Sequence, residues 1–263
     1  MAEDIGTGDV TTLSVVPPGK MIRGSFVVKE AGVVCGMEVV SRVFAMLDPA
    51  VVLSMQVRDG DKVSPGDVLA DIYGPAAPVL SGERVALNFL QRLSGIATRT
   101  AALAEQLSET STRIVDTRKT TPGLRVLEKY AVRTGGGENH RMNLANGILI
   151  KDNHIQAAGG ITAAVEAARR NAPRTLKIEV ETESLEQVKE ALEAGADIIM
   201  LDNMDLHTMR QAVKLVDGRA LTEASGNMDR KDLEAVARTG VDMVSVGALT
   251  HSVKALDISL KFA

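Results

Sequence analysis

The sequence predicts an α/β protein in which a small N-terminal α+β unit precedes an α/β barrel of about six strands. From Ser111 onward, six β-type runs alternate with helical patterns of about ten to fifteen residues. Such alternation requires parallel strands joined by right-handed crossovers, as in a barrel or a doubly wound sheet. Before about residue 90, shorter β-type runs separated by turn signals surround a single helical pattern.

The N-terminal unit is predicted from three β-type runs, at residues 21–29, 51–57 and 68–72. Turn-forming pairs separate them: Asp59-Gly60, Pro65-Gly66 and Gly74-Pro75. Apolar residues at helical spacing predict a helix over Met37–Leu47 between the first two runs, and a longer helix over residues 82–107 leads into the second half.

The ends of the six later runs favour a barrel over an open sheet. The runs cover residues 112–119, 147–152, 176–181, 197–203, 220–226 and 243–247. Each ends in polar residues or glycine: Arg118 and Lys119, Lys151 and Asp152, Glu181, Asp202 and Asn203, Ser225 and Gly226, and Gly247. A barrel gathers all strand ends at one mouth, whereas an open sheet binds ligands mainly at one switch point.

Composition and charge exclude several classes of protein. The 263 residues are 45% hydrophobic with a net charge of −4, which argues against a nucleic-acid-binding surface. No apolar run reaches the roughly 18 residues that span a bilayer. The single cysteine, Cys35, cannot form an internal disulfide, and no signal peptide is evident, so we expect a soluble cytoplasmic protein.

The segment 116–154 predicts an anion-binding site. It carries seven Lys or Arg against four Asp or Glu within an acidic chain. The expected anion contacts are Arg118, Lys119, His140, Arg141 and Lys151, because Arg binds carboxylate or phosphate through two parallel hydrogen bonds and Lys supplies a point charge. Arg125, Lys129 and Arg133 are interpreted instead as solvated charges on a helix.

The next strands contribute the opposite charge. Glu181, Asp202 and, less clearly, Glu223 are expected at the same mouth, where carboxylates can hold ribose hydroxyls or Mg²⁺. The alternative is that they only neutralise the cations across the barrel. Small residues that follow the last two strands, around Gly226 and Gly247, would let backbone N–H groups approach a phosphate.

These residues resemble the quinolinate phosphoribosyltransferase family, also called nicotinate-nucleotide pyrophosphorylase (carboxylating). The resemblance spans essentially the whole chain, and its longest motif is DTRKTTPGLRVLEKYAVRTGGGENHR at residues 116–141. Other motifs are EDIGTGDVTT (3–12), ERVALNFLQRLSGIATRT (83–100), IKDNH (150–154), KIEVE (177–181), MLDNM (200–204), EASGNM (223–228) and SVGALTHS (245–252).

The resemblance implies an N-terminal open-faced α/β sandwich (residues 1–100) and an incomplete α/β barrel (101–253), with a tail (254–263) that returns to the first domain. It also implies a homodimer or a larger assembly of dimers, in which Arg84 enters the neighbour's site. Thr117, Arg118, Lys119, His140, Arg141 and Lys151 would line the quinolinate and pyrophosphate sites. Ser225, Gly226, Asn227, Val246, Gly247, Ala248 and His251 would hold the 5′-phosphate, and Glu181 and Asp202 would face the ribose and its Mg²⁺.

The implied reaction transfers the phosphoribosyl group of phosphoribosyl pyrophosphate to quinolinate and releases carbon dioxide, a step of NAD biosynthesis. Lys119, Lys151, Glu181 and Asp202 are the expected catalytic residues. Nicotinic acid, which has one carboxylate, is expected to be a poor substrate.

Three other functions fit parts of the sequence. A paralogue, such as a molybdenum-transport-associated protein or a nicotinate phosphoribosyltransferase, shares the order of motifs. A Schiff-base aldolase would use Lys151 at its strand end. The segment 59–72 resembles half of a lipoyl or biotinyl carrier, but Lys62 lacks the expected flanking residues, so its glycines are read as turn formers.

Overall fold

The computed structural model describes residues 1–262, which form two compact units. The first unit contains Met1–Ala101, Tyr130–Gly136 and the chain from Val253 onward, and the second contains Ala102–Lys129 and Gly137–Ser252. Residue 263, the last of the predicted tail, lies outside the described residues. The predicted domain boundaries at residues 100 and 253 stay a prediction.

Helices and strands alternate along most of the chain. The helices are α1 (Ala2–Ile5), α2 (Val10–Val15), α3 (Met37–Leu47), α4 (Ala76–Glu105), α5 (Arg125–Thr134), α6 (Asp152–Ala158), α7 (Ile161–Asn171), α8 (Leu185–Glu193), α9 (Leu206–Val216), α10 (Leu233–Ala237) and α11 (Ala248–His251). The strands are β1 (Met21–Val28), β2 (Gly32–Val33), β3 (Val52–Met55), β4 (Lys62–Val63), β5 (Val68–Pro75), β6 (Arg113–Val115), β7 (Ile148–Ile150), β8 (Ile178–Thr182), β9 (Ile198–Asp202), β10 (Leu221–Ser225), β11 (Met243–Ser245) and β12 (Ile258–Phe262).

The first unit is an antiparallel sheet covered by helices. Its strand order is β12-β1-β5-β3, and β2 pairs separately with β4. Phe26 of β1 lies fully buried against Phe44 of α3 in an edge-to-face contact with ring centroids 6.3 Å apart. Residues from α4, including Val79 and Leu90, complete the same core. One layer of helices on one sheet is the predicted sandwich.

The second unit is built on a parallel sheet of six strands in the order β6-β11-β10-β9-β8-β7. The β6 and β7 strands end this order, and no strand pairing within residues 1–262 joins them. Glu138 extends the β6 end, since it forms a parallel bridge with Val115. The arrangement confirms the predicted fold class, with six parallel strands in place of the eight of a complete barrel.

Most predicted elements are confirmed, but several of their bounds differ: β3 and β6, for example, are shorter than the predicted runs 51–57 and 112–119. The helix Met37–Leu47 is observed with both predicted ends. The predicted turn at Gly74-Pro75 is instead the end of β5, where Pro75 pairs with Met21 at a terminal strand position that tolerates the missing N–H. Helix α4 therefore begins at Ala76, earlier than predicted, and Pro78 falls in its first turn, where it loses no hydrogen bond.

No helix within residues 1–262 combines the length and the apolar character that a bilayer crossing needs.

Candidate active site

The carboxyl ends of the six parallel strands lie at one edge of the second unit's sheet, and most of the predicted site residues sit there. Pairing between strands sets which side chains share a face. Glu181 of β8 pairs with Met200 of β9, and Met200 pairs in turn with Glu223 of β10. Paired residues in a parallel sheet point to the same face, so these side chains project together.

Lys119, Gly247 and His251 come together at the ends of β6 and β11. The Thr250 hydroxyl donates to the Lys119 carbonyl over 2.7 Å. A Cβ atom at Gly247 would lie 3.0 Å from Lys119 Cδ and 3.2 Å from His251 Nε2, so a side chain there would displace these two side chains by a few tenths of an ångström. The Thr117 hydroxyl accepts from the Lys119 backbone N–H at 3.0 Å and so turns the chain after β6.

Arg118 and Arg141 form a pair of like charges. Burial lowers the pKa of Arg141, and the positive charge of Arg118 lowers it further, while Glu179 acts in the opposite direction. The guanidinium of Arg141 is partly anchored, because its Nη1 donates to the Gly147 carbonyl over 2.9 Å. Because the positive charges of the two guanidinium groups repel each other, an anionic ligand that contacts both would bind favourably.

Lys151 and Glu181 neutralise each other. Ile150 pairs with Val180, so the residues that follow them lie side by side, and Lys151 Nζ contacts Glu181 Oε2 at 2.5 Å. Glu181 therefore neutralises a cation that follows the neighbouring strand β7, and its catalytic role stays a prediction. A substrate that binds either group must compete with this ion pair.

Asp202 lies at the end of β9, on the same face as Glu181 but two residues further along the strand direction. Its Oδ2 accepts from Asn203 Nδ2 over 2.7 Å, which leaves Oδ1 for another partner. Asp202 also pairs with Ser225 of β10, the first residue of the predicted phosphate site.

The loop after β10 is tightly built. Gly226 and Asn227 both have positive φ angles, of 97° and 52°. A Cβ atom at Gly226 would lie only 2.2 Å from Asn203 Oδ1. The side chain that orients Asp202 thus packs directly against the glycine of the predicted phosphate loop.

His140, Glu179 and Glu223 form a buried cluster that the sequence reasoning did not assemble. His140 Nε2 lies 3.0 Å from Glu179 Oε2 and 3.5 Å from Glu223 Oε2, and the two carboxylates are 4% and 0% exposed. Glu179 Oε1 and both carboxylate oxygens of Glu223 have no hydrogen-bond partner within residues 1–262. Burial disfavours the charged ring, but the hydrogen bond to Glu179 and the negative charges of both glutamates outweigh it and raise the pKa of His140 to about 10.

This cluster has the composition of a small cation site, since its ligand atoms all lie within 4.8 Å of one another. Protonated His140 supplies the positive charge that the two carboxylates require. Burial raises the pKa of Glu179, and the negative charge of Glu223 adds to that effect. The sequence carried a signal for Glu179: it precedes Glu181 by two residues on one strand, and so faces the same side of the sheet.

Lys129 is not the solvated helix charge that the sequence suggested. It is 1% exposed and forms an ion pair with Asp116, which is fully buried after β6. The prediction was wrong because Lys129 lies on the inner face of α5, where it meets Asp116. Helical spacing alone does not reveal a partner from another element. Arg125 is half-buried, and its guanidinium donates to the Thr120 hydroxyl and to the carbonyls of Met142 and Arg118, so it is not a free solvated charge either. Arg133 is exposed, as predicted.

The remaining predicted residues are placed less directly. Val246 is buried, and its backbone N–H already donates to the Val115 carbonyl over 2.9 Å. Ala248 begins the short helix α11 beside Gly247. Arg84 lies in the first unit, exposed on α4.

Comparison with known proteins gives a consistent result over the whole chain. The family models described as the N-terminal and C-terminal domains of quinolinate phosphoribosyl transferase match residues 9–94 and 96–261. A probable nicotinate-nucleotide pyrophosphorylase [carboxylating] from Bacillus subtilis is 50% identical over 258 residues, which is 98% of this chain and 89% of the relative.

Solved structures agree. The crystal structure of NadC from Streptococcus pyogenes aligns over 100% of this chain and 93% of its own, with a TM-score of 0.94 and 46% identity. The nicotinate-nucleotide pyrophosphorylase from Francisella tularensis aligns with a TM-score of 0.95 at 40% identity, covering 100% of this chain and 92% of its own. With both of its domain models matched, this chain belongs to the quinolinate phosphoribosyl transferase family.

Proposed function

We propose that this protein transfers the phosphoribosyl group of phosphoribosyl pyrophosphate to quinolinate, giving nicotinate mononucleotide, pyrophosphate and carbon dioxide in NAD biosynthesis. Family membership supports the reaction class, and the names of the full-length relatives support the substrates. The chemistry of the strand-end site supports the same assignment independently.

The proposal rests on Arg118 and Arg141, which extend from adjacent chain segments: Val115 and Glu138, three residues before each arginine, form a parallel bridge. Burial and the positive charge of Arg118 both lower the pKa of Arg141. Neither guanidinium forms an ion pair with a carboxylate within residues 1–262. Quinolinate is a pyridine with two adjacent carboxylates, so it supplies two negative charges at short spacing. Arginine holds carboxylates through two parallel hydrogen bonds, and the charge repulsion between the arginines is relieved when the dianion binds.

The phosphoribosyl donor would occupy the other side of the strand ends. We assign its 5′-phosphate to the backbone at Ser225, Gly226, Asn227, Gly247 and Ala248, with His251 beside it. Lys119 lies against Gly247 and His251, and it follows Arg118 directly in the chain. It can therefore contact anionic groups of both substrates.

The reaction balances without a redox cofactor. The lone pair of the pyridine nitrogen forms a bond to the anomeric carbon, while the bond from that carbon to pyrophosphate breaks and its electron pair leaves on oxygen. Glu181 and Asp202 stabilise the positive charge that develops on the sugar. The 2-carboxylate then departs as carbon dioxide, its bonding electrons stay on the pyridinium ring, and that carbon takes up a proton.

The chain would bind its substrates by replacing internal contacts. Lys151 is paired with Glu181, and a carboxylate or pyrophosphate oxygen of a substrate would take the place of that partner. Release of Glu181 then frees it to face the ribose. Much of the rate enhancement comes from holding two anions that repel each other in water.

Glu181 and Asp202 also suit the predicted Mg²⁺. Both offer hard oxygen donors, and Mg²⁺ commonly takes one or two protein carboxylates together with substrate phosphates. Asp202 keeps Oδ1 available, and Glu181 becomes available when Lys151 leaves it. When bound, Mg²⁺ would neutralise negative charge on the departing pyrophosphate.

We further propose that the active form is a homodimer or an assembly of dimers, with Arg84 completing the neighbour's site. Exposure of Arg84 on α4 supports this, because a residue that serves another subunit must be accessible. A cytoplasmic location stays a prediction that rests on the single cysteine, and cell fractionation would check it.

The function is tested by pyrophosphate release from purified protein with phosphoribosyl pyrophosphate, Mg²⁺ and either quinolinate or nicotinate. We expect release with quinolinate and at least a tenfold lower kcat/KM with nicotinate, because a lost charged hydrogen bond at a partly buried arginine costs about 1.5–3 kcal/mol. Equal rates with both acids, or release with nicotinate alone, would overturn the assignment. Borohydride trapping of Lys151 with a sugar phosphate would favour an aldolase instead.

A further inference from the structure

Asp116 and Lys129 form a buried ion pair that holds both backbone polar groups of His140. The Asp116 carboxylate accepts from the His140 backbone N–H over 2.9 Å and from Asn139 Nδ2 over 2.6 Å. Lys129 Nζ donates to Asp116 and also to the His140 carbonyl, the latter over 3.0 Å. Asn139 Nδ2 closes the arrangement through a bond to the Lys129 carbonyl over 2.9 Å.

This arrangement, the backbone clamp of Asp116, Lys129 and Asn139, is a costly way to stabilise a fold. Asp116 and Lys129 are 0% and 1% exposed, so both lose their hydration. A buried ion pair often contributes no more stability than well-packed apolar residues of the same size. The pair also cancels its own charge, so it adds nothing to the attraction of an anion. What it does supply is a fixed backbone position at residues 139 and 140.

That position matters because the next residue is Arg141. Its guanidinium extends to the Gly147 carbonyl and is close enough to Arg118 for their charges to interact. Arg118 follows Asp116 by two residues on the same strand end. The clamp therefore ties together the two chain segments from which the guanidinium groups extend.

We propose that Asp116 and Lys129 are positioning residues that set the spacing between Arg118 and Arg141, and through it the affinity for the dicarboxylate substrate. This inference rests on the proposed function. The phosphate loop after β10 and β11 receives no hydrogen bond from the clamp within residues 1–262, so the affinity for the phosphoribosyl donor should depend on the clamp far less.

Two variants test this. Asp116→Asn combined with Lys129→Met removes both charges at once, so neither is left unpaired. Asn139→Ala removes only the amide that bridges Asp116 and the Lys129 carbonyl; Asn139 is exposed, so this variant should fold.

The matched control combines Asp197→Asn with Arg169→Met. Like Asp116, Asp197 combines an ion pair with a hydrogen bond to the backbone: its carboxylate lies 2.8 Å from the Arg169 guanidinium and accepts from the Ile178 backbone N–H over 2.7 Å. These contacts lie at the amino end of β8.

The readouts are the melting temperature and the separate KM values for quinolinate and phosphoribosyl pyrophosphate. We expect the double variant to raise the KM for quinolinate at least about tenfold and Asn139→Ala to raise it about threefold or more, since small displacements of binding groups have large effects. The KM for the donor should change less than about threefold. The control should lower the melting temperature and leave both KM values unchanged.

Other results overturn the inference. A wild-type KM for quinolinate in Asn139→Ala would do so even if the double variant failed to fold, and so would equal increases in both KM values. A quinolinate effect in the control variant would mean that loss of stability alone explains the change. If the wild-type protein releases no pyrophosphate with quinolinate, the proposed function fails instead, and the clamp is left as a purely structural pair.

Discussion

At the scale of single residues, burial separates the cations that serve the fold from those available to a ligand. Lys129 is enclosed with Asp116, whereas Arg118 and Lys119 are exposed at the strand ends. Arg141 lies between these extremes, partly buried and beside another positive charge. The residues that bind substrate are expected to be those whose charge is not cancelled within the chain.

Arg141→Ala and Lys119→Ala should each lower kcat/KM for quinolinate by about 100-fold or more, since each removes charge-assisted hydrogen bonds to an anion. The melting temperature should change little, because neither side chain supports the core. Steady-state kinetics with quinolinate measure the effect, and Arg133→Ala, an exposed cation on α5, serves as the control. Wild-type activity in either site variant would remove the anion-site assignment.

His140 should make stability depend on pH. Its pKa rises from 6.5 to about 10 on folding, so its charged form stabilises the folded state fully below pH 6.5. That contribution is lost as the pH rises through 10. Urea unfolding of the wild type and of His140→Gln should show a difference in unfolding free energy of up to a few kcal/mol at pH 6. The difference should shrink by pH 10, and a difference that grew over this range would contradict the imidazolium cluster.

At the scale of elements, Asn203 connects the loops that follow β9 and β10, because it contacts both Asp202 and Gly226. Asn203 orients Asp202 with its amide nitrogen and packs its amide oxygen against Gly226. The predicted acidic group and the predicted phosphate loop are therefore mechanically linked. A substitution in the loop should therefore change the position of Asp202, and a substitution at Asp202 should change the loop.

Gly226→Ala should raise the KM for phosphoribosyl pyrophosphate and lower stability by about 1–2 kcal/mol, because the new Cβ meets Asn203 and the positive φ is strained. Gly218→Ala is the matched control: its φ is also positive, at 68°, but nothing lies within 4 Å of the new Cβ. Steady-state kinetics and thermal unfolding of both variants separate the two effects, because backbone strain occurs in both variants and displacement of Asn203 only in Gly226→Ala. An unchanged donor KM in Gly226→Ala would mean that this loop does not bind the donor.

Helix α3 of the first unit and the six parallel strands of the second were largely predictable, because each is one local pattern. Helix α3 and the six parallel strands follow directly from apolar periodicity and from the turn residues between them. Strand β12 was not predicted as a strand, since its pairing with β1 joins residues that are far apart in sequence. The Asp116–Lys129 pair and the His140 cluster were not predicted for the same reason, because each depends on contacts between different elements.

At the scale of the whole molecule, the parallel order of strands explains why residues from six separate motifs form one chemical site. The register places Asp202 beside Ser225, and the ion pair places Lys151 beside Glu181. The position of these residues at the strand ends was therefore predictable, their pairing was not, and their roles stay a prediction. Lys151 and Glu181 were expected to face different substrates, and they contact each other.

Subunit mixing tests the predicted dimer. Arg84→Ala and Lys151→Ala should each be inactive alone, but random mixing should restore about a quarter of wild-type activity, because half of the dimers would carry one intact site of two. Pyrophosphate release after subunit exchange measures this. Absence of rescue in verified heterodimers would place Arg84 outside the neighbour's site.

The most direct measurement of the central claim, that cations from β6, β7 and the segment before β7 form one dicarboxylate site, is calorimetric titration with quinolinate and with nicotinate. We expect quinolinate to bind at least about tenfold more tightly than nicotinate, and Arg141→Ala to remove most of this difference. Equal affinities for the two acids in the wild-type protein would contradict it.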